Sequence, residues 1–197
     1  MTDRTDVPDF QPAARAVQKV VAGVRDDQLA NPTPCAKWTV ADLLDHLVGL
    51  TMAFRMAAAK QAQPAPPDPL RSALHPEWRG LLPAQLDDLV AAWRTPDAWT
   101  GETEAGGVVL PADVMALVAL NEVVVHGWDL ATSTGQPYEI DRATTEAVHS
   151  LVAQQASPEG TPGLFGPSIT TPAEAPLLDR VIGLTGRDPR WASAGSA

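Results

Sequence analysis

A chain of 197 residues holds one domain of ordinary size, or one with a small appendage, and can bury a sizeable core. Its 24 acidic residues against 14 basic ones, a formal charge of -10, set the surface against phosphate backbones and anionic lipid, so neither nucleic acid nor a membrane is an expected partner. The single cysteine, Cys35, excludes an internal disulfide framework and a zinc site of several thiolates, so any metal must be held by histidine and carboxylate.

The opening stretch MTDRTDVPDF is polar and acidic and lacks the basic, apolar, small-residue order of a signal peptide, which leads us to expect a cytoplasmic protein. Helical spacing then begins with Phe10, Val17, Val20, Val21 and Val24 on one face of a first helix. A second helix is predicted from about residue 40 to about residue 60. Thr39 and Asp42 have capping-box spacing there, and Val40, Leu43, Leu44, Leu47 and Leu50 form the inward stripe. The prolines of QPAPPDP, residues 63–69, predict a loop. A third helix is expected to start with Pro83 at its first position, to bury Leu86, Leu89, Val90 and Trp93, and to stop at Pro96.

The polar, glycine-containing TGETEAGG, residues 100–107, reads as a turn region flanked by a short hairpin. A fourth helix follows from near Pro111 to about residue 133. Val114, Met115, Leu117, Val118, Leu120, Val123, Val124 and Val125 leave it hardly any polar face, so it should be buried nearly all round. The apolar stretch from Val108 to Val125 is interrupted by Pro111, Asp113, Asn121 and Glu122, so no membrane span is expected. A fifth helix after Asp141 turns Val148, Leu151 and Val152 inward. After the loop SPEGTPGLFGPSITTP, a short sixth carries Leu177, Leu178, Val181 and Ile182 up to Gly186. With no internal repeat, the chain reads as a single all-α domain over 1–197, a bundle of four main helices with helical additions.

Chemistry enters where the fourth helix stops being apolar. Glu122 and His126 are four residues apart, so their side chains leave the same face one turn from each other. By spacing alone, a surface pair or a buried ion pair without metal is the favoured reading. His46 changes the balance, because it lies among Leu43, Leu47 and Leu50 on the inward side of the second helix, where an unpaired imidazole also needs a partner. Two half-sites on two apolar helices predict one metal site with open positions for water or substrate. Zinc is the default ion, and nickel, iron and manganese accept the same ligands.

Other polar residues carry weaker expectations. His75 beside Pro76 and His149 on the fifth helix have no partner at ligand spacing. Asp42 and Asp129 could each orient a ligand imidazole, but capping is favoured for Asp42 and a solvated face for Asp129. Arg187 is a candidate clamp for a substrate or cofactor carboxylate, set against a favoured surface ion pair with Asp188 or Asp179. Cys35, just before the helix that bears His46, could face the site, but a small buried residue at a helix entry is favoured. Trp38 and Trp128 are expected as packing aromatics, with Trp128 a candidate border of a cofactor pocket. Gly127 inside a helix signals either a close helix approach or room for a ligand.

Three stretches in order, TPCAKWTVADLLDHLVG, NEVVVHGWDLATSTG and FGPSI followed by LLDRVIGLTGRDPRW, resemble the DinB-like, mycothiol-dependent maleylpyruvate isomerase type of metal-binding protein, in particular its uncharacterised metal-binding branch. The resemblance implies an up-down-down-up four-helix bundle with a metal held at the positions of His46, Glu122 and His126. It also implies a zinc ion and a low-molecular-weight thiol such as mycothiol, whose sulfur approaches the open metal position. The activity implied is a metal-dependent thiol S-transferase or isomerase acting on a small electrophilic substrate; a non-catalytic metal-binding, small-molecule-binding or interaction protein is the alternative. The full isomerases carry a further C-terminal domain, which a short helix and the GRDPRW tail are expected to replace here. A homodimer is in keeping with a bundle bearing extra helices.

Overall fold

The computed structural model describes residues 7–62, 74–161 and 165–192. The proline stretch 63–69, expected as a loop, lies outside them, as do residues 162–164 of the loop between the last two helices. The described elements are α1 (Gln11–Gly23), α2 (Val40–Ala58), α3 (Trp78–Trp93), a hairpin of β1 (Glu102–Ala105) and β2 (Val108–Pro111), α4 (Ala112–Thr134), α5 (Arg142–Gln155) and α6 (Leu177–Leu184). Both α1 and α2 pack against α3 and α4, so the four long helices close a ring in the order α1, α3, α2, α4. The hairpin lies against α2 and α4, α5 packs on α4, and α6 packs on α5. This is the all-α bundle that the apolar spacing predicts.

The predicted inward stripes are the observed core. Val17 of α1, Leu43, Leu44 and Leu47 of α2, Leu86 and Leu89 of α3, and Leu120 of α4 are fully buried. Each such aliphatic side chain is worth roughly 1.5–3 kcal/mol when removed from water, so these stripes rather than local propensity hold the helices. Phe10 and Trp93 stack with ring centroids 5.7 Å apart and tie the start of α1 to the end of α3.

The third helix corrects the sequence reading. It begins at Trp78, and Pro83 lies inside it rather than at its first position. Trp78 and Leu82 are both buried, and their burial sustains a turn that the missing proline N–H would otherwise weaken. The Pro83 carbonyl also accepts a hydrogen bond from Gln18 Nε2 at 3.0 Å, which ties α3 to α1 at this turn. The hairpin is as expected, with Gly106 and Gly107 both at positive φ, 59° and 81°, in the turn that suits a two-residue connection.

Helix α4 is long and apolar enough to cross a bilayer by length and composition, which the interrupted sequence did not suggest. Its environment is protein, however, since 78% of its most apolar window is buried inside the bundle. Gly127 marks a close approach and not room for a ligand. A Cβ there would collide with the Tyr138 hydroxyl and come within 2.6 Å of Val17 Cγ2. That hydroxyl donates to the Val124 carbonyl at 3.0 Å, so it cannot step aside without losing a bond.

Replacing Gly127 by Ala should therefore destabilise the protein by about 1–3 kcal/mol, the usual cost of overpacking. On an open helix the same change gains about 1 kcal/mol of propensity, so the sign of the shift in a urea or thermal unfolding experiment decides between the two.

Candidate metal centre

The site is assembled by two helix faces and one cap. Thr39 caps α2 in a reciprocal box with Asp42, whose carboxylate accepts from the Thr39 backbone N–H at 2.8 Å and its hydroxyl at 2.6 Å. Those bonds hold the Asp42 carboxyl below the usual range and bear out its capping role. The cap fixes where α2 starts, and His46 follows two turns in, between Leu43 and Leu47, at the edge of the core.

Across the α2 and α4 contact, His46 Nε2 lies 3.7 Å from Glu122 Oε2, and His126 Nε2 lies 3.1 Å from the same oxygen. The three ligand atoms all fall within 4.8 Å of one another. Ligands on a tetrahedral zinc with bonds of about 2.0–2.1 Å sit about 3.4 Å apart, so the two measured separations bracket what such an ion needs. The predicted trio is brought together. His46 and Glu122 keep 35% and 27% of their side-chain surface in solvent, against 9% for His126, so an open coordination position would face outward on their side.

Behind this trio lies a polar layer that the sequence reading placed wrongly. Asp129, expected on a solvated face, is fully buried and takes His126 Nδ1 at 2.9 Å on one oxygen. Arg187, expected as a carboxylate clamp or a surface partner of Asp188 or Asp179, instead grips Asp129 from Nε at 2.8 Å and from Nη2 at 2.9 Å. Asp188 pairs with Arg190. Cys35 is half-buried, donates to Asp129 Oδ2 at 3.4 Å and accepts from Arg187 Nη2 at 3.3 Å, so it belongs to this layer and is not mere packing at a helix entry. The aromatic wall is Trp38, with ring centroids 4.6 Å from His46 and 5.9 Å from His126. Trp128, expected as a packing aromatic and a candidate pocket border, is a core residue 7% exposed. His149, as expected, stands apart from the trio, facing Arg180 at 3.3 Å.

The electrostatics follow from burial opposed by pairing. Burial pushes the Glu122 carboxyl up, but hydrogen bonds and charge from His126 and His46 outweigh it and hold the group far below the carboxylate range. Burial likewise raises Asp129, and His126 and Arg187 together bring it down. Burial opposes a charged His126, yet its contacts with Asp129, Cys35 and Glu122 carry it well above the ordinary histidine value. An imidazole between two carboxylates satisfies both with its two N–H groups. A divalent cation at Nε2 would answer the same demand from the Glu122 side, and the Asp129 side would keep the ring's other N–H. The donor set and its spacing fit a metal ion.

The chain and its fold have counterparts among known proteins. Residues 10–131 match the family model described as the mycothiol maleylpyruvate isomerase N-terminal domain. An uncharacterised protein of Mycobacterium tuberculosis, found in strains CDC 1551 and H37Rv, is 32% identical over 195 residues, which cover 91% of this chain and 96% of that protein. The crystal structure of the mycothiol-dependent maleylpyruvate isomerase superposes with a TM-score of 0.67 at 17% identity, over 100% of this chain and 97% of that one. A crystal structure of a histidine-to-alanine variant of that enzyme gives a TM-score of 0.55 at 18% identity, over 82% of this chain and 76% of that one. The bundle is thus the DinB-like fold of that enzyme. Since the family model spans residues 10–131, more than half of the chain, and the Mycobacterium relative is 32% identical over 91% of it, the chain belongs to the mycothiol maleylpyruvate isomerase N-terminal domain family.

Proposed function

We propose that the chain binds one divalent ion, zinc by default, through His46, Glu122 and His126, and uses it to activate a low-molecular-weight thiol of the mycothiol class against a small electrophilic substrate. The observation that carries this reading is the convergence of three ligand atoms from two helices within 4.8 Å, on the solvent-facing edge of an apolar core. A bound divalent ion would supply the positive charge that favours thiolate over thiol near neutral pH. The residues supply the rest. Asp129 fixes the His126 ring through Nδ1, Trp38 walls both imidazoles, and the exposure of His46 and Glu122 leaves the approach open on one side. Attack by the sulfur on an electrophilic carbon, with a leaving group departing with the pair of the bond that breaks, would give S-transfer; addition to a conjugated double bond, rotation about the resulting single bond and expulsion of the thiolate would give isomerisation.

We take residues 1–197 as one domain, because α5 and α6 continue the packing from α4 and Arg187 returns to the candidate metal centre; the acidic surface and the polar N-terminal stretch favour the cytoplasm. The fold likeness to the mycothiol-dependent enzyme favours catalysis over a purely structural metal.

Elemental analysis of protein purified without added metal should find close to one divalent ion per chain, and a His126→Ala variant should lose most of it. Equal metal content in the two would overturn the site. Because His126 holds its proton tightly in the metal-free chain, zinc uptake near pH 7 should release about one proton per ion, and affinity should rise with pH. Calorimetry in buffers of different ionisation enthalpy reads this directly, and uptake without proton release would contradict the charged imidazole. With metal in place, consumption of an electrophile should require an added thiol, whereas stoichiometric capture without product across a thiol panel would make the protein a binding module.

A further inference from the structure

All three metal ligands and Asp129 lie within the family domain, residues 10–131, whereas the cation that holds Asp129 comes from position 187. We infer that Arg187 is a positioning residue of the metal centre: by gripping both oxygens of Asp129 it fixes the carboxylate that aims His126 Nε2 at Glu122 and His46. The inference rests on the metal site proposed above and adds a residue from outside the domain that carries the ligands.

The contacts are specific. Arg187 Nε donates to Asp129 Oδ1 at 2.8 Å and Oδ2 at 3.1 Å, and Nη2 donates to Oδ2 at 2.9 Å. A planar guanidinium fork of this kind fixes the plane of a carboxylate, which a single hydrogen bond from imidazole does not. Two further N–H groups are committed as well, one on Nη2 to Cys35 Sγ at 3.3 Å and one on Nη1 to the Thr185 carbonyl at 3.4 Å. With 14% of its side chain exposed, Arg187 has little left for a substrate carboxylate. Its charge also accounts for a second ligand cluster. Cys35, His126 and Asp129 could hold a cation by spacing alone, but the guanidinium already bonds two of the three, so this layer supports the metal site and is not another one.

The backbone is built to deliver this side chain. After α6, Gly186 adopts a φ of 83°, and a Cβ there would lie 2.8 Å from the Gly166 backbone. Gly160 packs on the other side of the same crossing, where a Cβ would lie 2.9 Å from Gly166. A side chain at 186 would be strained and would lift the segment off its support, drawing Arg187 away from Asp129.

Zinc affinity, measured by competition with a chromophoric chelator on the full chain, tests the assignment. Arg187→Ala and Asp129→Asn should each weaken binding by roughly 10–100-fold. The double variant should bind no more weakly than Asp129→Asn alone, because the arginine acts through the aspartate. Arg187→Lys, which keeps charge without the fork, should fall between wild type and Arg187→Ala. Independent losses that multiply in the double variant, or a folded Arg187→Ala protein within about twofold of wild type, would overturn the inference. If Arg187→Ala does not fold, Arg187→Lys and Gly186→Ala carry the same comparison. In the metal-free protein, nitrogen NMR should show a slowly exchanging His126 Nδ1–H that Arg187→Ala abolishes, and its persistence in that variant would also count against the role. A wild-type chain that takes up no metal would sink the metal site itself, and the NMR comparison would then decide on Arg187 alone.

Discussion

The structure turns on two carboxylates placed in a helix that is buried over most of its surface. Glu122 and Asp129 are both on α4, and Asp129 has no exposed surface at all. An isolated carboxylate in such a place would be strongly disfavoured, so each must meet a cation or several donors. His126 lies between them and answers both with its two ring nitrogens. One imidazole cannot neutralise two carboxylates, and the surrounding fold is arranged around the deficit. His46 comes across from α2 on the open side, and Arg187 comes from beyond α6 on the buried side.

This explains which parts of the site were legible in the sequence. Helix faces were, because a stripe such as Leu43, Leu47 and Leu50 has one physical use, and a polar residue among them is conspicuous. His46, Glu122 and His126 were found in that way. Asp129 carried the same signal and was misjudged. A helix read as buried nearly all round offers no solvated face, so an aspartate three residues after a buried histidine had to be buried with it. Arg187 was beyond such reasoning, since its partner is 58 residues away and no helical period links them. Trp38 belongs to the same class. It precedes the cap of α2 and reaches the site only because the Thr39 box turns the chain there.

Pro83 shows where local rules yield to tertiary ones. Proline at the first helical position is a sound expectation for an isolated segment, but Trp78 and Leu82 bury enough surface to extend the helix past it. The apolar length of α4 works in the opposite direction. Length and composition suit a bilayer, and the ring of α1, α2 and α5 around it supplies the apolar surroundings instead.

The two sides of the centre also differ in burial and in the contacts that hold them, and that difference would have a chemical use. His126 is held through Nδ1 by an aspartate that is itself held by an arginine, a chain of short contacts inside the core. His46 and Glu122 keep about a third of their side-chain surface in water or slightly less. A cation here would be anchored at His126 and would change partners on the side of His46 and Glu122, where a thiol or substrate can reach it. Charge points the same way. Glu122 and Asp129 bring two negative charges and Arg187 one positive, so a divalent ion bound to neutral imidazoles leaves the cluster with a single net positive charge. Without Arg187 that excess disappears, and with it much of the electrostatic reason for a thiolate to settle at the open position. An arginine that lies beyond residues 10–131 thereby bears on both the geometry of the site and its net charge.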